Sequence, residues 1–211
     1  MPIHQKCRVR WIAPIIEKVI IMPDYRRWFH TGGTYFFTVI TYNRQKIFLN
    51  EPARSYLHQA IDYIRALRPF EMPAAVLMPD HFHCIWKMPD DDDDFSTRWQ
   101  MIKRRFTRLW LPNVNRDIPI SASRIKRGEA GVWQRRFWGH LIKDQDDFAR
   151  HLDYIHYNPV KHGLVGCPHQ WGHSSFHRWV KDEIYRNDWM CQCGENKKTL
   201  DFNDITNSVG E

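Results

Sequence analysis

The stretch that decides the fold is "MPDHFHCIW", residues 78–86. It sets His81 and His83 one residue apart inside an apolar run. Side chains alternate along a strand, so both imidazoles leave one face while Phe82, Cys84 and Trp86 leave the other for a core. Two rings placed this way are close enough to share one metal ion. Taken alone, an H-x-H in a strand is weak evidence and favours two half-exposed histidines bonded to their neighbours, so the metal reading needs support from elsewhere in the sequence.

Working outward, "MPAAVLMPDHFHCIWKM" (residues 72–88) predicts two short strands around a turn at Pro79-Asp80. Upstream, "GGTYFFTVITYNR" (residues 32–44) predicts a strand, with Tyr35, Phe36, Phe37, Val39 and Ile40 as β formers after Gly32-Gly33. Between them, "NEPARSYLHQAIDYIRAL" (residues 50–67) is helical: Leu57, Ile61, Ile64 and Leu67 recur at helical spacing, and Pro52 sits in a first turn. Downstream, a run of five aspartates (residues 90–94) precedes an apolar stripe of Trp99, Ile102, Phe106 and Leu109. The acids fall at the helix N-terminus, where the dipole favours them, and read as a solvated capping loop. Arg98, Arg104, Arg105 and Arg108 lie largely off the stripe. Residues 112–131 read as a polar loop, "VWQRRFWGHLIK" (residues 132–143) as a strand, and "DQDDFARHLDYIHYN" (residues 144–158) as a helix interrupted by Pro159 and Gly163.

The order strand, helix, strand, strand, helix, strand, helix predicts an α+β fold, an antiparallel sheet with helices packed on it, ferredoxin-like in layout. Residues 1–30 fit no domain pattern and read as an N-terminal extension, residues 31–180 as the domain, and residues 181–211 as a C-terminal tail.

The chain has 211 residues, 43% of them apolar, with 10 Trp, enough for a packed core. A net charge of +7 is a weak pointer to a polyanionic partner. The five cysteines are an odd number at scattered spacing and, with no signal peptide in view, predict a reducing cytosol rather than a disulfide framework. No apolar run reaches the roughly 20 residues that span a bilayer. Cys191 and Cys193 with Cys167 and His169 are a candidate zinc set, but C-x-C without a second close pair is a weak spacing. The stretch from Cys191 onward reads as a loose tail that could fold over the site.

The second motif is "HLDYIHYNPV", residues 151–160. Tyr154 and Asn158 are four apart and share a helix face, apart from the apolar face set by Phe148, Leu152 and Ile155. Taken alone, a Tyr at a helix edge and an Asn closing the helix before Pro159 is the favoured reading of the same residues. The pairing of the two motifs is far more specific. "MPDHFHCIW" followed about seventy residues later by "DFARHLDYIHYNPVKHGLV" closely resembles the REP-associated tyrosine transposases, members of the HUH single-strand endonuclease superfamily. "GGTYFFTVITYNR", "DFSTRWQMIKRRFT" and "VWQRRFWGHLIKD" also look like that family's blocks, and the resemblance runs from about Tyr25 to Trp179.

The resemblance implies the HUH endonuclease/transposase fold, His81 and His83 as metal ligands, Tyr154 as nucleophile and Asn158 as third protein ligand. Asn at that place is a departure within the wider superfamily, where relatives carry Gln. It implies one Mg²⁺ or Mn²⁺ ion, a 5′-phosphotyrosine intermediate, and single-stranded hairpin DNA of repetitive extragenic palindromes as partner. It further implies a monomer in the cytoplasm, associated with the nucleoid and not with a membrane. Sequence alone offers His151 and His156 as bases, with His151 nearer the Tyr154 face. Single strands are held by cationic grooves with aromatic faces, and the chain offers Arg104, Arg105 and Arg108 on one helix, Arg135 and Arg136 with Phe137 and Trp138 on a strand, and Arg26 and Arg27 beside Tyr25, Trp28 and Phe29. Two other readings stay open: a DNA-binding protein on the same scaffold that recognises hairpins without cutting, and a zinc hydrolase of small substrates. The H-x-H without a nearby acidic ligand and the basic balance disfavour the hydrolase.

Overall fold

A computed structural model describes residues 29–114, 120–193 and 199–209. The elements follow the order β1 (Thr34–Ile40), α1 (Glu51–Leu67), β2 (Glu71–Leu77), β3 (His81–Lys87), α2 (Phe95–Trp110), α3 (Ala122–Lys126), β4 (Trp138–Leu141), α4 (Gln145–Lys161), α5 (Phe176–Lys181) and α6 (Asn203–Val209). The four strands form one antiparallel sheet in the order β2-β3-β1-β4. That is the ferredoxin-like layout expected from the sequence. No helix among the described residues is long and apolar enough to cross a membrane.

Alternation along the strands builds two cores. Tyr35, Phe37 and Val39 of β1 and Phe82, Cys84 and Trp86 of β3 join Leu57, Ile61 and Ile64 of α1 and Trp99, Ile102 and Phe106 of α2. Phe36, Val76 and Ile85 leave the other face and pack with Leu152, Tyr154 and Ile155 of α4. The histidines of β3 share that second face, so they lie under a helix rather than in water. The edge of β2 is covered, not bare: Leu77 N–H donates to the His173 carbonyl at 2.8 Å, and Ser175 N–H to that of Ala75 at 2.8 Å.

Four departures from the sequence reading have physical causes. Arg98 is 1% exposed rather than on an open face. Its guanidinium donates to Asp92 and to the carbonyls of Arg68, Pro69 and Asp94, which together satisfy it. The aspartate run is therefore partly structural; Asp94 also accepts from Thr97 N–H as the cap of α2. Arg135, Arg136 and Phe137 precede β4 rather than lying on it, since the chain there makes only an isolated bridge from Trp133 to Thr41. The polar loop holds the short helix α3.

The fourth departure shapes the site. α4 runs through Pro159 to Lys161. Proline removes one backbone donor, but so near the C-terminus the helix has little left to lose. Residues 154–160 are all buried, so α4 has no open polar face there.

Candidate active site

His81 stands at the start of β3, just after the turn. Its Nδ1 lies 2.6 Å from Asp80 Oδ1, and Asp80 Oδ2 lies 3.3 Å from Arg44 Nη1. Burial works against the Asp80 carboxylate, but the His81 ring and the Arg44 guanidinium outweigh it and hold the carboxyl below its usual range. A carboxylate at Nδ1 favours the Nδ1–H tautomer and makes Nε2 the nitrogen of the ring that could bind an ion. The register puts Thr38 of β1 opposite His83, with Thr38 Oγ1 2.9 Å from His83 Nδ1. Thr38 can accept from Nδ1–H, which assigns Nε2 to the same role in the second ring. The two ring centroids are 4.7 Å apart, and the rings are 2% (His81) and 0% (His83) exposed.

α4 delivers the other half. Tyr154 lies edge-on to the His83 ring at 5.3 Å and to Phe36 at 5.9 Å. Tyr154 and Asn158 are both 0% exposed. The Asn158 side chain makes no hydrogen bond from either Oδ1 or Nδ2. Burying an amide that way costs about 1–3 kcal/mol unless a ligand uses it. Two imidazole nitrogens and an amide oxygen form a mixed N/O donor set that fits a divalent ion.

Helix spacing also brings Lys161, seven residues beyond Tyr154, to the same face. Its Nζ lies 3.5 Å from the Tyr154 hydroxyl and 5.0 Å from the ring centroid. The sequence reading missed it because Pro159 reads as the helix end. The signal was the i+7 spacing, two turns on one stripe. Asp80 and Thr38 were likewise read as a turn residue and a strand residue.

The two histidine bases proposed from spacing are committed elsewhere. His151 Nδ1 lies 2.9 Å from both the carbonyl and the Oδ1 of Asp147, whose Oδ2 meets His140 Nε2 at 2.8 Å. Burial lowers the pKa of His151. His156 turns to Ser175 Oγ at 2.8 Å, and burial pushes its pKa down to about 3.

The site is covered by the chain's last described segment. Phe202 sets its ring 5.4 Å from that of Tyr154, and Ile205 and Val209 of α6 are buried in the same cluster. Arg150 holds this segment through Asp204 at 2.6 Å and the Asp201 carbonyl at 3.1 Å. The stretch read as a loose tail is, over residues 199–209, packed on α4.

The basic residues gather on α2, across the sheet from Tyr154. Arg104 and Arg108 line one open groove with Lys103, Arg124 and Arg135. Arg135 meets Glu129 at 2.6 Å, and Arg105 stacks its guanidinium 3.6 Å from the centroid of Tyr63. Arg136 is exposed. Arg26 and Arg27 lie outside the described residues.

No family model matches the chain. Individual proteins do. A Haemophilus influenzae protein assigned to the REP-associated tyrosine transposases is 46% identical over 171 residues, 80% of this chain and 93% of the relative. The REP-associated tyrosine transposase of Escherichia coli K12 is 42% identical over 168 residues, 80% of this chain and 91% of the relative. Among solved structures, a REP-associated tyrosine transposase bound to a REP hairpin superposes with a TM-score of 0.67 at 38% identity, covering 85% of this chain and all of that one.

Proposed function

Because the chain belongs to the family of REP-associated tyrosine transposases, we propose that it cleaves and rejoins hairpin DNA of the REP type, with Tyr154 as the nucleophile. The observation that carries this reading is the meeting of two separate motifs: α4 sets the Tyr154 ring 5.3 Å from the His83 ring of β3.

The reaction asks little covalent chemistry of the protein beyond one phenol. Tyr154 Oη attacks a backbone phosphorus; the Oη–P bond forms, the P–O3′ bond breaks, and the leaving oxygen takes a proton to become a 3′-OH. The covalent link conserves the energy of the phosphodiester, so a second 3′-OH reverses the step without ATP. A free phenol ionises near pH 10, so it needs help at neutral pH. Lys161, 3.5 Å from the hydroxyl, supplies a cation that favours the phenolate.

His81 Nε2, His83 Nε2 and Asn158 Oδ1 would hold one Mg²⁺ or Mn²⁺ ion. When bound, that ion polarises the scissile phosphate and offsets charge on its oxygens. All three ligands are neutral, so its charge is left for the phosphate. Asp80 and Thr38 hold the rings in the right tautomer. On the far side of the sheet, the arginine groove of α2 is a candidate surface for a DNA backbone.

The test is a labelled hairpin oligonucleotide incubated with protein and Mn²⁺, then run under denaturing conditions. Wild type gives an SDS-resistant protein–DNA band, and Tyr154→Phe gives none. A band of undiminished intensity from the variant removes Tyr154 from the role.

A further inference from the structure

Away from Tyr154, two short loops converge. Gln192 N–H donates to the Gly166 carbonyl at 2.7 Å, joining the turn after α4 to the turn after α5. Gln170 Oε1 braces the first loop by accepting from Gly166 N–H and Cys167 N–H, each at 3.0 Å. Cys191 N–H braces the second on the Asp188 carbonyl at 3.2 Å. At the junction, the ligand atoms of Cys167, His169 and Cys191 all lie within 4.8 Å of one another. Cys193 brings a third sulfur, 3.0 Å from Cys167 Sγ. His169 Nδ1 faces Cys191 Sγ at 3.7 Å and the Asn187 carbonyl at 3.0 Å, a hydrogen bond that ligation through Nδ1 would replace.

We propose that Cys167, His169, Cys191 and Cys193 form a structural zinc site, separate from the Tyr154 site. Zinc bound by three thiolates at about 2.3 Å and an imidazole at about 2.1 Å sets its ligands at tetrahedral corners roughly 3.8 Å apart, the scale of this cluster. Cys167 and Cys191 also stand sulfur to sulfur as a disulfide pair. A disulfide uses two of the four groups and gives no reason for a further thiol at the same point. A Cys₃His set uses all four, as a C-x-H arm and a C-x-C arm. Once a thiol reductant has opened the Cys167–Cys191 disulfide with two electrons and two protons, binding one Zn²⁺ takes a proton from each of the three thiols and leaves the site with one net negative charge. Four protein ligands close the coordination shell, so the site holds structure and activates no water. Thiolates select zinc over Mg²⁺ or Mn²⁺, so this site and the N/O set near Tyr154 take different metals. The ion would clamp the end of α4 to the segment that leads on to residues 199–209.

The full chain, purified under reducing conditions, should carry one zinc per molecule by elemental mass spectrometry. Replacing zinc with Co²⁺ should give the thiolate-to-cobalt charge-transfer band, which histidine and asparagine ligands do not produce. Cys193 is exposed, so Cys193→Ser should fold and yet lose most of that band and most of the zinc retained against a chelator. His169→Ala should weaken retention in the same way. Removing zinc should lower the melting temperature of wild type and leave Cys193→Ser unmoved. Absence of the cobalt–thiolate band in wild type would overturn the proposal. So would full zinc retention in both variants. A third overturning result is a stable Cys167–Cys191 disulfide with Cys193 alkylated in the unreduced protein, which marks a redox pair.

Discussion

Phe202→Ala should make the protein cut faster, although Phe202 is no part of the chemistry. Tyr154 has no exposed surface, and no phosphate can reach it while the segment from Phe202 to α6 lies on it. The segment is held by three buried side chains, Phe202, Ile205 and Val209, and by the Arg150–Asp204 pair. Removing a buried phenyl costs about 3–5 kcal/mol in a core. The segment packs from one side only, so the lower figure applies. At 1.4 kcal/mol per factor of ten, about 3 kcal/mol raises the open-to-closed ratio by roughly 150-fold. The rate of adduct formation should rise toward that factor, up to the ceiling set by truncation after Thr199, in which the cover is gone. Asp204→Ala breaks an exposed pair worth at most about 1 kcal/mol and should gain only a few-fold. The assay is single-turnover formation of the covalent band with excess protein, and thermal melts confirm that each variant folds. Wild-type rates from both Phe202→Ala and the truncation would refute the idea that this segment limits access.

Two further outcomes follow from the same geometry. Asp80→Asn removes the carboxylate from His81 Nδ1 and should weaken Mn²⁺ binding about 10–100-fold. The Mn²⁺ concentration for half-maximal cleavage should rise by that factor while the rate at saturation stays within a few-fold; an unchanged metal requirement rejects the role given to Asp80. His156 is held neutral by burial, with a pKa of about 3 against 6.5 in the unfolded chain. The unfolded state therefore takes up the proton first, and the stability is whole above pH 6.5 and falls as pH drops toward 3. Between pH 8 and pH 5 this group should cost about 2 kcal/mol. His151 and His173 are depressed too, so the share is isolated by comparing urea melts of wild type and His156→Gln. An equal pH dependence in both proteins would count against the assignment.

The sheet was legible because period-two alternation and turn residues are local signals. His81 and His83 alternate with Phe82 and Cys84, and that contrast alone assigns their faces. What the sequence hid is what only a second segment supplies. Arg98 reads as a surface cation because the carbonyls that satisfy it belong to Arg68 and Pro69, some thirty residues away. The cysteine set reads as weak because its two arms are joined by a backbone bond between Gly166 and Gln192, not by spacing. Lys161 was hidden by the opposite error, a local rule applied too strictly at Pro159.

The hardest feature to read from sequence was that both faces of the sheet are buried. Polar groups on a strand face suggest solvent, yet His81, His83 and Asn158 lie between β3 and α4. The imidazoles bear this because Asp80 and Thr38 take one nitrogen of each. Asn158 has no such support, and its amide burdens the fold by about 1–3 kcal/mol. An apolar side chain that fits the space would carry no such penalty. On stability alone the amide is therefore the wrong residue for its place. A ligand that binds the amide oxygen together with the two Nε2 atoms turns the same burial from a cost into preorganisation, since β3 and α4 already hold the three groups in place.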